Sequence, residues 1–122
     1  MKLLDAMFTV RRWEADRVTV GLHADHPIYR AHFPGSPITP GVCLIQLIGE
    51  LLEQRQAVSL RLAGVTSLKF AAPISPTDTP VVDCLFTMVV DSGPTVKAKG
   101  VVQAGDQTMT KFSLVFNKTV SQ

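Results

Sequence analysis

Apolar and polar residues alternate near the start of the chain. The alternation over positions 17–22 has the period of a strand with one buried face. Residues 8–12 form a second strand-like run, and Glu14-Ala15-Asp16 suits a turn between the two. The pattern therefore predicts an N-terminal β-hairpin.

The second half of the chain carries further strand signals. Four apolar-rich runs follow one another, and turn-forming residues such as Asp91-Ser92-Gly93-Pro94 and Gly105-Asp106 separate them. Turn residues between strand-like runs are typical of hairpins. The predicted strands are residues 62–70, 81–90, 95–103 and 108–116.

A strongly apolar segment in the middle of the chain predicts a long helix over residues 40–54. Thr39 suits the N-cap position and Pro40 suits the first turn. Apolar side chains cover most of the circumference, so we expect the helix to be buried. Its polar residues fall on one stripe: Gln46, Glu50, Glu53 and Gln54.

The segment before this helix, residues 25–40, has a different character. Four prolines and Gly35 exclude a regular helix there. The segment also contains large apolar side chains, which indicate a packed loop. Because packed irregular loops often carry function, this loop is a candidate site.

The order of these elements predicts an α+β fold for one domain over residues 1–122. One buried helix and about six strands are best arranged as an antiparallel sheet that curls around the helix. Such a sheet has edges that need protection, so we expect the chain to pair with a second copy, as a homodimer or higher homo-oligomer.

Composition narrows the range of functions. Hydrophobic residues make up 46% of the chain and charged residues 18%, which suits a core and is too little charge for a disordered chain. The net charge is only +2 and the basic residues are scattered, so nucleic acid is not an expected partner.

No apolar run approaches the ~20 residues of a membrane span, and residues 1–9 do not form a signal peptide. We therefore expect a soluble, cytoplasmic protein.

Residues 32–46 carry the most specific signal, because they read His-Phe-Pro-Gly-Ser-Pro-Ile-Thr-Pro-Gly-Val-Cys-Leu-Ile-Gln. This segment resembles the signature of the bacterial 3-hydroxyacyl-[acyl-carrier-protein] dehydratases, in which a His-Phe-Pro-Gly loop precedes a Pro-Gly-Val that opens the central helix. The resemblance covers roughly residues 17–116 and implies a hotdog fold. Further segments that resemble the family are Asp25-His26-Pro27, Leu62-Ala63-Gly64-Val65, Leu68-Lys69-Phe70, Pro73 and Asp78.

The resemblance also implies an activity, the elimination of water from a 3-hydroxyacyl thioester to give a trans-2-enoyl thioester in fatty-acid or related lipid or polyketide biosynthesis. The reaction needs a base for the C2 proton, which suits imidazole, and a donor for the charge that grows on the thioester oxygen. By resemblance, His32 is the base and the Gly41 N–H is the oxyanion donor. The substrate is expected to contact the loop and the first helical turn, at Phe33, Gly35, Pro40, Gly41 and Val42. The implied partner is a thioester of acyl carrier protein or coenzyme A, and neither a metal nor another cofactor is implied.

The chain departs from the family at the general acid. The family has Glu or Asp fourteen residues after the catalytic histidine, where this chain has Gln46. A neutral amide can hold a hydroxyl group but cannot act as a general acid. One turn later the family often has Gln, and this chain has Glu50, about 6 Å further along the same helix face. Gln46 and Glu50 therefore both stay candidates, and Glu50 is the alternative proton donor.

These candidates also have structural interpretations. A lone histidine in a loop is more often a partly buried structural residue, although the motif favours catalysis for His32. Glu50 could equally begin a solvated stripe where the helix leaves the core. Arg30, Lys69 and Lys97 are surface charges that could also meet an acidic carrier protein or its phosphate.

Three functions stay open at this point. The first is an active dehydratase, and in a dimer of that family the site is shared, with the histidine from one chain and the acid from the other. The second is a non-catalytic hotdog subunit that binds acyl chains or pairs with an active partner, which Gln46 favours. The third is a hotdog thioesterase, which the His-Phe-Pro-Gly loop disfavours.

Overall fold

The computed structural model describes residues 2–33 and 35–119, so Pro34 of the His-Phe-Pro-Gly motif lies outside the described residues. These residues include two helices, α1 Ile28–Ala31 and α2 Gly41–Gln56. The strands are β1 Phe8–Glu14, β2 Arg17–Leu22, β3 Leu60–Phe70, β4 Val81–Ser92, β5 Thr95–Ala104 and β6 Gln107–Lys118.

The six strands form one sheet in the order β1-β2-β4-β5-β6-β3, and all neighbouring pairs are antiparallel. All the predicted strands are confirmed, and five of them extend further than the sequence indicated. The ladders continue into the tight hairpins, which pair Glu14 with Arg17, Ser92 with Thr95 and Ala104 with Gln107, and the edge strand β3 begins where Leu60 pairs with Lys118. Strands β1 and β3 lie at the two edges of the sheet.

Helix α2 begins one residue later than predicted. Pro40 is its N-cap, with an extended ψ of 143°, and the Pro40 carbonyl accepts hydrogen bonds from the Cys43 and Leu44 N–H groups at 3.0 and 3.1 Å. The prediction that Thr39 is the N-cap is therefore wrong. The helix ends at Gln56, two residues beyond the prediction. In the described ranges, neither helix is long and apolar enough to cross a membrane.

The proline-rich loop contains a helical turn that the sequence excluded. Helix α1 occupies four residues directly after Pro27. Proline disrupts the interior of a helix but is tolerated at its start, because its missing N–H has no helical partner there. The prediction of an entirely irregular segment over residues 25–40 is wrong for this turn.

The core lies between α2 and the face of the sheet that curls around it. Gly49 allows close contact here, since a Cβ at this position would lie 3.1 Å from the Phe116 ring. The helix contributes five side chains that are at most 3% exposed, namely Leu44, Leu47, Ile48, Leu51 and Leu52. The sheet contributes Val18, Val20, Val82, Cys84, Val96, Ala98, Val102, Phe112, Leu114 and Phe116 to the same cluster.

Candidate active site

His32 is held at the start of the proline-rich loop by backbone hydrogen bonds on both sides. Its N–H donates to the Ile28 carbonyl at 3.0 Å, and its carbonyl accepts from the Ile38 N–H at 3.0 Å. Between these bonds the chain turns tightly, and Gly35 has a φ of +78°. Glycine adopts that left-handed conformation at no steric cost. The glycine of the motif thus serves the turn that positions His32.

The imidazole of His32 differs from that of a structural histidine. It stacks on the Phe33 ring with 4.2 Å between the ring centroids, and its Nδ1 is buried without a hydrogen-bond partner among the described residues. Structural histidines usually have both ring nitrogens bonded. His23 fits that description, since Nδ1 donates to the Ala6 carbonyl at 3.1 Å and Nε2 lies 2.5 Å from Thr9 Oγ1. The contrast favours a chemical role for His32.

His32 lines a cleft of about 340 Å³, here called the His32 cleft. The cleft lies where the loop, the start of α2 and the end of β3 meet, and most of its walls are apolar. Such walls exclude water from an apolar ligand and strengthen electrostatic contacts inside. The lining residues are His32, Ile38, Thr39, Gly41, Leu44, Phe70, Ala72, Pro73 and Ile74.

The N-terminus of α2 opens into the His32 cleft at Gly41. In the described ranges no side chain caps this end of the 16-residue helix. The first N–H groups of a helix lack partners within it and carry the positive end of the helix dipole. The Gly41 N–H is therefore suited to meet a negatively charged oxygen.

Two buried hydroxyl groups join the loop to the rest of the site. Tyr29 Oη and Thr39 Oγ1 are 3.0 Å apart, and the Thr39 N–H donates to the Ile74 carbonyl at 2.8 Å. Burial raises the pKa of Tyr29, so its hydroxyl stays protonated at neutral pH. These bonds hold the loop, the helix start and the segment after β3 in one arrangement.

Phe70 determines how much space the Gly41 position has. A Cβ added to Gly41 would lie 2.6 Å from Phe70 Cζ, well inside van der Waals contact. Phe70 is itself 50% exposed, and its ring also lines the His32 cleft. Only glycine fits at position 41 while the ring keeps its place.

Replacing Gly41 tests this packing. We expect Gly41→Ala to displace the Phe70 ring into the His32 cleft and to lower kcat/KM for a thioester by about tenfold or more, since small misplacements in a site are costly. The double variant Gly41→Ala/Phe70→Ala should recover part of the loss. Steady-state kinetics of both variants and of Phe70→Ala check this, and an unaltered kcat/KM for Gly41→Ala would contradict it.

Gln46 and Glu50 line a different cleft, of about 500 Å³, here called the Gln46 cleft. It runs along the other side of α2 and is bounded by β3 and β6. Val42 lies at its rim and is 73% exposed. The lining residues are Lys2, Val42, Ile45, Gln46, Gly49, Glu50, Glu53, Leu60, Leu62 and Phe116.

Glu50 is buried, with only 7% of its surface exposed, and both carboxylate oxygens accept hydrogen bonds. The Leu3 N–H lies 2.7 and 3.0 Å from the two oxygens, and the Leu4 N–H donates at 2.8 Å. Gln46 Nε2 donates to Glu50 Oε2 at 3.0 Å. The interpretation of Glu50 as part of a solvated stripe is therefore wrong, because the backbone of Leu3 and Leu4 covers its carboxylate.

The two halves of the expected site are thus separate within one chain. His32 and Gly41 share one cleft, whereas Val42, Gln46 and Glu50 line the other. Of the remaining expected contacts, Pro40 is buried at the helix start and Phe33 is 49% exposed beside His32, while Gly35 lines a shallow cleft next to the loop.

Sequence reasoning assigned no role in the site to four residues that shape it. Tyr29 and Thr39 form the hydroxyl pair, and the Leu3–Leu4 backbone binds Glu50. The only available signal was the apolar character of the loop around Tyr29. The contact of Leu3 with Glu50 spans 47 residues and has no local sequence pattern.

Comparison with known proteins agrees with this architecture. The family model of the ApeI-like dehydratases matches residues 11–92, more than half of the chain. The chain is 27% identical to the 3-hydroxyacyl-[acyl-carrier-protein] dehydratase FabZ of Thermoanaerobacter sp. (strain X514) over 103 residues, which cover 79% of this chain and 71% of that protein.

Solved structures show the same fold. The dehydratase heterocomplex ApeI:P from Xenorhabdus doucetiae matches with a TM-score of 0.60 and 17% identity, over 93% of this chain and 99% of that chain. A mutant thioesterase from Pseudomonas aeruginosa matches with a TM-score of 0.61 and 9% identity, over 92% and 81% of the two chains. The predicted hotdog fold is confirmed, and the chain belongs to the ApeI-like dehydratase family.

Proposed function

We propose that the chain is a 3-hydroxyacyl thioester dehydratase that acts in the cytoplasm, in fatty-acid or related lipid or polyketide biosynthesis. The observation that carries this proposal is His32, whose buried Nδ1 has no partner among the described residues and whose ring lines an apolar cleft beside an uncapped helix start. The FabZ relative at 27% identity is named for the same chemistry on acyl carrier protein. A thioester on that carrier or on coenzyme A is the proposed substrate.

In the proposed reaction, His32 removes a proton from C2 of the bound thioester. The electron pair of that C–H bond forms the C2=C3 double bond while the C3–O bond breaks. The Gly41 N–H stabilises the negative charge that builds up on the thioester oxygen. The hydroxide that leaves C3 takes up a proton and departs as water. The protonated His32 is the proposed source, since Gln46 cannot supply one.

Gln46 is proposed to hold the C3 hydroxyl group of the substrate, and Glu50 to position Gln46. An ionised carboxylate only accepts hydrogen bonds, so the Gln46 atom that faces Glu50 is its amide nitrogen. The backbone N–H groups of Leu3 and Leu4 hold Glu50 in turn. Since all these contacts use the carboxylate as an acceptor, a positioning role suits Glu50 better than proton donation.

The active unit is proposed to be a homodimer in which His32 of one chain meets Gln46 of the other. Within one chain the two residues line different clefts. The Gln46 side also exposes apolar residues that a second copy would cover, since Val42 is 73% exposed, Val65 48% and Leu62 42%. β3 is an edge strand next to this surface, so its free edge is available for pairing.

A charge at Val42 tests the dimer. We expect Val42→Glu to convert the dimer to a monomer at micromolar concentration and to abolish turnover, because burying an unpaired carboxylate at an interface is costly. Light scattering and the dehydration assay measure the two effects. Val81→Glu is the matched control at another exposed valine, 37% exposed. A Val42→Glu protein that stays dimeric and active would contradict the shared site.

A second function has one specific observation in its favour. Gln46 stands where the dehydratase signature has a carboxylic acid, which suits a subunit that pairs with an active partner. The structural neighbour from Xenorhabdus doucetiae is a dehydratase heterocomplex. Such a subunit would be inactive on its own, because Gln46 cannot act as the general acid.

The deciding experiment incubates the purified chain with a 3-hydroxyacyl carrier-protein thioester and identifies the product. An enoyl thioester supports the proposed dehydratase. Unchanged substrate favours the non-catalytic subunit, and release of the free acid would identify a thioesterase instead.

A further inference from the structure

The hydroxyl groups of Tyr29 and Thr39 together carry one hydrogen more than the bond between them uses. Tyr29 Oη and Thr39 Oγ1 lie 3.0 Å apart, and each hydroxyl can donate one hydrogen. Among the described residues, neither hydroxyl has another hydrogen-bond partner. Both residues are buried, Tyr29 being 3% exposed and Thr39 5%. One of the two O–H groups therefore has a hydrogen to donate elsewhere.

The acidity of the two groups determines which of them keeps that hydrogen. A phenol is more acidic than an aliphatic alcohol and is the better donor, whereas the alcohol oxygen is the better acceptor. Burial raises the pKa of Tyr29, so the phenol keeps its proton at neutral pH. Tyr29 accordingly donates to Thr39 Oγ1. The Thr39 O–H is left to donate, and a hydroxyl that accepts a hydrogen bond is itself a stronger donor.

Thr39 is placed where such a donor meets a ligand, because it lines the His32 cleft. Gly41, two residues further along the chain, lines the same cleft. The Thr39 side chain is held by Tyr29, and its backbone N–H donates to the Ile74 carbonyl at 2.8 Å. A donor that is already fixed needs no reorganisation when negative charge develops beside it.

We propose that the Thr39 hydroxyl is a second oxyanion donor, which binds the thioester oxygen together with the Gly41 N–H; this rests on the proposed dehydratase function. A carbonyl oxygen has two lone pairs and can accept both hydrogen bonds. Tyr29 is a positioning residue, since it acts through Thr39. The C3 hydroxyl group of the substrate has a different proposed partner, Gln46.

The amide at position 46 makes a second oxyanion donor useful. With no carboxylic acid to assist the leaving hydroxide, transfer of the C2 proton to His32 runs ahead of C3–O cleavage. The electron pair of the C2–H bond is then shared with the thioester oxygen until it forms the C2=C3 bond. Hydroxide leaves C3 and takes the proton back from His32. Hydrogen bonds to the thioester oxygen are strongest at the point of greatest charge, so a second one lowers the barrier.

Thr39→Val removes the hydroxyl group and keeps the shape of the side chain. With 3-hydroxyoctanoyl-pantetheine as substrate, we expect kcat to fall by about 10²-fold, as for the loss of one oxyanion donor, while KM changes little. Thr39→Ser restores the O–H and should recover most of the loss. Thr19→Val is the matched control, because it removes a hydroxyl that donates to Asp83 away from both clefts. This control should keep the wild-type kcat.

A double-variant cycle tests the role of Tyr29. Tyr29→Phe should lower kcat less than Thr39→Val does, because Thr39 keeps its O–H and loses only the partner that orients it. Tyr29→Phe/Thr39→Val should have the same kcat as Thr39→Val, since Tyr29 has no effect without the threonine hydroxyl. Losses that multiply in the double variant would show that Tyr29 does not act through Thr39.

A thioester that cannot lose water tests the contact apart from turnover. Octanoyl-pantetheine has no C3 hydroxyl, and infrared difference spectroscopy with an isotope-labelled carbonyl measures its C=O stretch in the bound state. The frequency should be higher in Thr39→Val than in the wild type, because one hydrogen bond to the carbonyl is lost, and Thr39→Ser should restore it.

Equal C=O frequencies in the wild type and Thr39→Val would overturn the proposal. In an active protein, so would a kcat of Thr39→Val equal to that of Thr19→Val. A wild type without turnover on the 3-hydroxyacyl thioester would refute the dehydratase function, whereas a frequency shift that depends on Thr39 would still support the contact with the carbonyl oxygen.

Discussion

His32→Ala is expected to lower kcat for dehydration by about 10²–10⁴-fold, the range that a positioned general base typically contributes. The substitution removes the only titratable side chain that lines the His32 cleft among the described residues. KM should change little, because the apolar walls and the helix N-terminus that are proposed to hold the thioester remain. Steady-state kinetics on one thioester, with thermal unfolding as a check on the fold, measure both effects.

His23→Ala is the matched control for this prediction. His23 has both ring nitrogens engaged, with Ala6 and Thr9, and lies outside both clefts. Its loss should lower thermal stability and leave kcat of the folded protein intact. A His32→Ala protein with the same kcat as His23→Ala would remove His32 from the mechanism.

Gln46→Glu is expected to raise turnover by about 10²-fold or more, since it supplies the general acid that the amide cannot provide. The new carboxyl would stand where Gln46 Nε2 now lies, 3.0 Å from the Glu50 carboxylate. Two carboxyl groups at that separation do not ionise independently, so the pair keeps one proton to a higher pH than an isolated carboxyl does. The variant therefore gains an acid that the amide could not provide.

The proton that this carboxyl pair retains determines how the turnover of Gln46→Glu changes with pH. Activity of Gln46→Glu should fall as the pH rises through the raised pKa, whereas the wild type should lack this loss. Gln54→Glu, which adds the same charge at an exposed position of α2, should leave turnover unchanged. Equal turnover for Gln46→Glu and the wild type, with the fold intact, would show that position 46 does not act at C3.

Glu50→Gln separates the two roles that the sequence left open for Glu50. If Glu50 only positions Gln46, the variant should keep part of its turnover and lose stability, because the Leu3 and Leu4 N–H groups would lose a charged acceptor. Complete loss of turnover in a protein that unfolds at the wild-type temperature would instead identify Glu50 as the proton donor.

The sequence pattern predicted most of the helices and strands, because each of these elements depends on residues that are close together in the chain. Strand alternation on β2 and the apolar circumference of α2 are each set by residues close in sequence. The N-cap was misjudged for a comparable reason: Thr39 has the right side chain, but its hydroxyl is used by Tyr29, ten residues away. The α1 turn was missed because four prolines were treated as equivalent, although a proline at a helix start is tolerated.

The site was less predictable than the fold because it depends on distant contacts. The motif identified His32 and Gly41, which the structure places in one cleft. It could not indicate that the N-terminal backbone covers Glu50 or that the Phe70 ring fills the space beside Gly41. Both contacts join segments that are far apart along the chain and meet only when the sheet closes around α2.

The most direct measurement of the proposed chemistry uses a 3-hydroxyacyl thioester that carries deuterium at C2, with the product identified by mass spectrometry. We expect the wild type to give an enoyl thioester from which one deuterium has been removed, and His32→Ala to give almost none. Release of an unchanged 3-hydroxy acid, with both deuterium atoms retained, would contradict proton abstraction by His32 and would identify thioester hydrolysis as the activity.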